Sequence, residues 1–286
     1  MLNVLVEGLL IGGVYGLIAL GFVLVFKSSM VMNMAYGWVI GILCYVLYQF
    51  MVPWGIPAVA AIPLLMVAGA VIGILVERFA VRPLMGQSFL ALLMMTLMLG
   101  TVIHGVIVLL WPGLIWNIPF KPMGLWTIGG IKIMPDAAIA FLVALAVFLV
   151  LVVLFRYTKV GLSMRVVAAD HEVAQSLGIR VNRIFSLSWA TSGAFGAICG
   201  ILLGMVFSVT IELGDLALGK GMTILLVGGM TSIPGALVGG LLIGASESLG
   251  SYWVEALRTV VPWIFMLVIL LIRPQGLFGQ KRIERI

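Results

Sequence analysis

The sequence predicts an all-α polytopic transmembrane protein of about nine helical crossings, and three observations predict it. The 286 residues are 63% hydrophobic and 9% charged, against about 25% charged in soluble domains. So little charge cannot cover a water-facing surface, and most of the chain must face lipid. Apolar runs recur at the length of roughly 20 residues that a helix needs to cross a bilayer. The basic residues fall between those runs, where orientation signals sit.

In chain order, the spans are expected at 4–26, 31–51, 57–78, 88–110, 136–155 and 184–207. Three shorter, Gly-rich runs follow at 218–232, 235–252 and 258–272, any one of which could be re-entrant or broken, so eight to ten crossings are open. No cleavable signal peptide is expected, because the first seven residues carry no Lys or Arg and the first apolar run is too long for an h-region. With nine crossings and the long 156–183 loop in the cytoplasm, twelve of the 16 Lys and Arg residues are cytoplasmic. The other four, Lys121, Lys132, Lys220 and Arg258, are outside or near the outer face. This positive-inside bias sets the N-terminus outside and the C-terminus inside. Trp111, Trp116 and Trp126 in the outer 111–135 loop suit an interfacial belt. Gly13-Val14-Tyr15-Gly16 is echoed by Gly193-Ala194-Phe195-Gly196 in an oppositely directed span, as an inverted repeat would be, although chance explains so short a match equally well. The whole chain is expected to form one transmembrane domain, 1–286.

Composition excludes several chemistries. The net charge of +6 reflects topology rather than nucleic acid. Cys44 and Cys199 lie in apolar runs and say nothing about redox compartment. No zinc pattern, nucleophile elbow or paired catalytic carboxylates occur, so neither a metal site nor an enzyme is expected. Gly214-Asp215-Leu216-Ala217-Leu218-Gly219-Lys220-Gly221 approaches a P-loop, but Gly221 stands at the Mg²⁺-binding Ser/Thr position and no βαβ unit surrounds it.

The long polar loop 156–183 is the most informative segment. Asp170 can cap a short helix, Glu172 suits its first turn, and Gly178 stands where a C′ glycine would end it. Leu162, Val166, Ala169, Val173 and Leu177 recur at helical spacing as one apolar stripe. Two short helices lying on the membrane or inserted into a partner fit this pattern; a solvated loop is the alternative. Elsewhere, Asn33 and Glu247 are polar groups in apolar runs, path-lining or internally hydrogen-bonded. His104 is expected to be a satisfied core histidine, His171 an exposed one, and Glu7 to reach water.

Glu172-Val173-Ala174-Gln175-Ser176-Leu177-Gly178 resembles the Glu-Ala-Ala-x-x-x-Gly signature of ABC importer permeases, with Val173 in place of Ala. Asn33-Met34-Ala35-Tyr36-Gly37, Glu77-Arg78-Phe79-Ala80-Val81-Arg82-Pro83-Leu84, the glycine-rich run from Gly219 to Gly240 and Arg273-Pro274-Gln275-Gly276-Leu277-Phe278-Gly279 resemble the permeases of branched-chain amino acid, urea and amide ABC transporters, of the shorter type. Tyr36 stands where that family more often has His or Gln.

The resemblance implies a multi-pass subunit of the bacterial inner membrane, translocating a small solute by ATP-driven alternating access. Branched-chain or other aliphatic amino acids are the leading substrates; urea, amides and aromatic acids stay open, as does an ion-coupled secondary transporter. No cofactor is expected in this chain, with ATP and Mg bound by partners. Those partners would be two cytoplasmic ATPases, a second homologous permease, an extracytoplasmic solute-binding protein and membrane lipid, but no nucleic acid. ATPase coupling would fall to Gly161, Arg165, Asp170, Glu172, Ala174, Leu177 and Gly178. The substrate path would be lined by Asn33, Ala35, Gly37, Gly228, Gly229, Gly235 and Glu247.

Overall fold

The structure, a computed structural model, describes residues 1–113, 115–118, 124–128, 130–255 and 257–279. Helices α1 (Leu2–Ser29), α2 (Tyr36–Met51), α3 (Ala58–Leu75), α4 (Phe89–Leu110) and α5 (Pro135–Tyr157) form the first part. Helices α6 (Lys159–Ala169), α7 (His171–Ser176), α8 (Val181–Val206), α9 (Leu213–Gly228), α10 (Ile233–Trp253) and α11 (Leu257–Ile272) complete it. Strands are vestigial: β1 (Ile115–Trp116) pairs antiparallel with β4 (Val209–Thr210), and β2 (Trp126–Ile128) with β3 (Ile131–Ile133). The protein is therefore an all-α polytopic membrane protein.

Helices occupy all nine expected spans, with differences of length that have physical causes. Among the described residues, six are long and apolar enough to cross a membrane: Leu2–Ser29, Ala58–Leu84, Phe89–Leu110, Pro135–Tyr157, Val181–Val206 and Ile233–Trp253. The second span was expected from residue 31, but the chain is non-helical at 30–35 and α2 begins at Tyr36. Met30 there adopts φ +56, which a non-glycine residue rarely does and which ends α1. The near-P-loop at 214–221 lies within α9, so it offers no phosphate-cradling loop.

The chain divides into two compact units. The first comprises Met1–Val23, Met123–Leu145 and Lys220–Ile286; the second comprises Leu24–Pro122 and Ala146–Gly219. In the first unit, Gly8, Gly12 and Gly16 of α1 meet Gly244, Gly240 and Ala236 of α10. Rising numbers on one helix against falling numbers on the other make the pair antiparallel. A Cβ at Gly12 would stand 2.6 Å from the Gly240 carbonyl oxygen, so only glycine permits this backbone approach. The second unit repeats the device: Gly69 and Gly73 of α3 lie against Gly193 and Trp189 of α8, again antiparallel.

Helix α2 runs parallel to α8, with Gly196 by Tyr36 and Gly200 by Ile40 and Cys44. The Tyr36 hydroxyl donates to Ser192 O at 3.1 Å. Trp111 donates to Gln49 Oε1 at 3.1 Å, and Trp116 packs on Tyr48 at a ring distance of 5.0 Å. His104, half-buried, stacks on Trp38 at 4.3 Å.

Candidate functional site

The 156–183 loop folds as two short helices. Thr158 caps α6, its hydroxyl accepting from Gly161 N at 3.1 Å. Asp170 caps α7, with Oδ1 accepting from Glu172 N at 2.8 Å and Val173 N at 3.1 Å. At the other end Gly178 adopts φ +77. Its N–H donates to Gln175 O at 2.9 Å, and Ile179 N reaches back to Ala174 O at 3.0 Å. These bonds satisfy carbonyls that the end of the helix would otherwise leave free.

The break at Asp170 splits the expected apolar stripe between two helices. Gly161, Met164 and Val167 face inward, and Ala174 is fully buried against Val167, Val181 and Phe185. Ala174 is small because the chain packs on it, and a Cβ at Gly161 would stand 2.6 Å from Leu154 O. Neither is available to a partner. The outward face carries Leu162, Val173 and Leu177, the last two 50% and 67% exposed. Arg165 and Glu172 flank it, also exposed. Exposed apolar side chains on a short polar loop are compatible with a docking contact.

Below this loop, a buried network fastens α8. Glu77 is 0% exposed. Arg82 Nε and Nη2 donate to its two carboxylate oxygens at 2.9 and 3.0 Å. The Ser186 hydroxyl lies 2.9 Å from both Glu77 Oε2 and Arg82 Nη2. The segment Val76–Val81 is π-helical, and Arg82 N–H donates to Glu77 O. That i→i+5 bond widens the turn and brings residues five apart onto one face, so the side chains pair where the backbones do. The Glu77–Leu84 signature thereby acquires a structural reason.

The proposed path residues are distributed differently. Asn33 lies in the 30–35 break, 5% exposed, and its Oδ1 has no hydrogen-bond partner among the described residues. Thr96 holds the break open, accepting from Met34 N at 3.2 Å and approaching Met32 O at 3.1 Å. Ala35 is buried, and a Cβ at Gly37 would stand 2.5 Å from Gly214 O. A buried acceptor without a partner in an unwound membrane segment is suited to a ligand donor.

Gly228, Gly229 and Gly235 instead serve packing. A Cβ at Gly228 would overlap Gly235, and Gly229, at φ +101, abuts Gly279. The Arg273–Gly279 segment folds back on α9, with Leu277 N donating to Val227 O at 2.8 Å and Phe278 N to Gly228 O at 3.1 Å. These glycines leave no room for a solute beside their backbone.

Glu247 is committed to the protein as well. Its Oε2 pairs with Lys220 Nζ at 2.7 Å and its Oε1 with Arg258 Nε at 3.1 Å. The Lys220 ammonium also stands 5.6 Å over the Tyr15 ring. Two of the four cations expected in or near outer loops are thus helical ion-pair partners. Sequence reasoning missed these pairings because the partners are 27 and 11 residues from Glu247. Of the residues used in the orientation argument, Lys121, Lys281, Arg282 and Arg285 lie outside the described residues, as does the His171 side chain.

Similarity to known proteins matches these signatures. The family of branched-chain amino acid transport system permease components matches residues 4–272. The high-affinity branched-chain amino acid permease protein BraD of Pseudomonas aeruginosa is 30% identical over 100% of this chain and 98% of its own. LivH of Salmonella typhimurium, a permease protein with the same description, is 28% identical over 98% of this chain and 96% of its own. A probable LivH of Methanocaldococcus jannaschii is 30% identical over 94% and 90%. Among solved structures, PsaBC from Streptococcus pneumoniae in complex with Fab shares the fold, with a TM-score of 0.50 and 17% identity over 96% of this chain and 92% of that one. The chain belongs to the family of branched-chain amino acid transport system permease components.

Proposed function

We propose that this protein is the membrane-spanning subunit of a binding-protein-dependent ABC importer that carries branched-chain or other aliphatic amino acids across the bacterial cytoplasmic membrane. The observation that carries this reading is the α6–α7 loop. It is capped by Asp170, closed by left-handed Gly178, and presents Leu162, Val173 and Leu177 outward. In a permease of this family, such a patch is suited to an ATPase groove. Two ATPases holding ATP and Mg would press on this loop, and a second permease would complete the path. An extracytoplasmic binding protein would deliver the solute.

Nine crossings with the N-terminus outside are the topology this reading adopts, supported by helices at each expected span and by the basic residues between them. Helix α9 has 16 residues. At 1.5 Å per residue it reaches only about 24 Å, as do α2 and α11 of the same length, short of the ~30 Å hydrocarbon core, so these three crossings draw on flanking non-helical backbone. Ion coupling through Glu247 is disfavoured because both its oxygens are already ion-paired.

The test is reconstitution of the complete transporter in proteoliposomes. Labelled L-leucine should accumulate only with ATP on the ATPase side, and ionophores should not abolish it. Urea, acetamide and phenylalanine, added as competitors, identify the alternatives. Uptake by this chain without ATPases, collapsing with an ionophore, overturns the reading.

A further inference from the structure

In the first unit, the start of α1, the β2–β3 hairpin and the start of α5 enclose a cavity of about 180 Å³. Its lining contains one carboxylate, Glu7, one ammonium, Lys132, and one amide, Asn3. The remaining wall is apolar: Val6, Leu10, Leu125, Ile133, Met134 and Ala137. Asn3, Val6, Glu7 and Leu10 fall at i, i+3, i+4 and i+7, one stripe of α1. The rotation of α1 that turns this stripe to the cavity is fixed by the Gly8–Gly12–Gly16 seam against α10 and by Phe141 of α5 against Gly13. Lys132 is held opposite by the hairpin, where it pairs in register with Thr127 and Gly130 turns at φ +84.

Among the described residues, neither Glu7 nor Lys132 forms an ion pair, with each other or with any other group. A compact cavity thus presents one unpaired charge of each sign and an aliphatic wall. A lone anion or cation would leave one charge unmet. A zwitterion with a short apolar tail meets all three. The volume is about six waters' share of the liquid, below the ~300–1,000 Å³ of drug-sized pockets. That size excludes peptides.

We propose that this cavity is a reception site for a free aliphatic amino acid, with its ammonium on Glu7, its carboxylate on Lys132 and its side chain against Val6, Leu10 and Ile133. The proposal rests on the permease reading for its place in transport, at the face where solute arrives. Asn3 can serve either end of the zwitterion, because an amide both donates and accepts.

The test uses a thiol reporter in the full-length permease. Cys44 and Cys199 are buried, so Leu125→Cys, at a wall position that is 64% exposed, supplies the reactive thiol. L-leucine should slow maleimide modification of L125C about tenfold at saturation. Leucinamide, lacking the carboxylate, and isocaproate, lacking the ammonium, should need about tenfold higher concentration or more, the loss of one charged contact. Adding Glu7→Gln or Lys132→Gln should remove the protection by leucine.

A labelled reporter indifferent to leucine overturns the proposal, as does protection by leucinamide and isocaproate at the concentrations at which leucine protects. Protection by phosphoethanolamine but not leucine would assign the cavity to a zwitterionic lipid headgroup and also overturn it. The permease reading is judged separately. If the complete transporter accumulates leucine while the reporter ignores it, only the reception site falls. If leucine protects the reporter but ATP drives no uptake, the site stands and the permease reading falls.

Discussion

Glu77 and Glu247 are both carboxylates buried inside helical units, and they are neutralised in different ways. Glu77 has one cation, Arg82, and one hydroxyl, Ser186, so the group closes at zero charge. Glu247 has two cations, Lys220 and Arg258, and among the described residues the exposed Glu255, 3.5 Å from Arg258, offsets the surplus. Glu77 is a local fastening across one π-turn that reaches to α8. Glu247 gathers three helices, α9, α10 and α11. The difference predicts which partner is dispensable. A carboxylate with one cation cannot lose it, whereas a carboxylate with two can lose either.

The largest expected effect follows directly. Arg82→Ala leaves the Glu77 carboxyl buried with only a hydroxyl donor, a change that costs about 3–5 kcal/mol when a buried pair loses one member. Glu77→Gln should cost much less, because the Arg82 side chain is 35% exposed and its guanidinium can turn to water. Thermal unfolding of the detergent-solubilised protein, followed by loss of the monodisperse peak, measures both. Equal losses from R82A and E77Q would break the comparison.

Next comes the second carboxylate. Glu247→Gln strands the largely buried Lys220 ammonium without its carboxylate, while Arg258, 41% exposed, can turn to water, for a loss of about 2 kcal/mol. Lys220→Met leaves a neutral Glu247–Arg258 pair and an apolar stem of similar length, so the loss should be about 1 kcal/mol or less. The same unfolding assay orders them. A Lys220→Met variant as unstable as Glu247→Gln would show that the two cations are not interchangeable. Ser186→Ala removes one neutral donor from Glu77, for about 1–2 kcal/mol. In the R82A background its effect should grow, because the hydroxyl is then the carboxylate's remaining partner.

How much of this was legible beforehand depended on the range of the interaction. Asp170 and Gly178 were readable as helix punctuation because a cap acts within four residues. Six of the expected spans were readable as long apolar helices because the bilayer sets that length. Ala174 was misassigned: its place in the motif was clear, but only tertiary packing decides that it turns toward Val181 and Phe185 rather than a partner. Gly228 and Gly229 were visible as glycines, yet Gly228 is required by the close approach of Gly235 in α10, and Gly229 by Gly279, 50 residues away in the returning backbone. The π-turn at Val76–Val81 left no signal in periodicity, since one widened turn is too short to shift a 3.6-residue pattern.

The smallest effect on stability should carry the largest effect on transport, at Gly178. Its φ of +77 is a conformation a β-branched residue rarely adopts, and nothing stands within 4 Å of where its Cβ would be. Gly178→Val therefore meets backbone strain and no steric clash. The expected cost is about 1–2 kcal/mol, confined to the Gln175 and Ala174 carbonyls that the turn satisfies. Leaving that turn would re-aim Leu177 and Val173, the exposed apolar contacts of α7, while Ala174 stays seated on Val167 and Phe185. The Glu77–Arg82–Ser186 fastening at the start of α8 is untouched, so the membrane helices should keep nearly their full thermal stability. The reconstituted transporter should lose most of its ATP-driven uptake, and ATPase association should weaken in co-purification. Gly178→Asn, a residue that tolerates left-handed backbone, should restore much of both. If Gly178→Val transports as well as the parent, the exposed face of α7 transmits nothing, and the contrast between a fastened base and a docking tip is wrong.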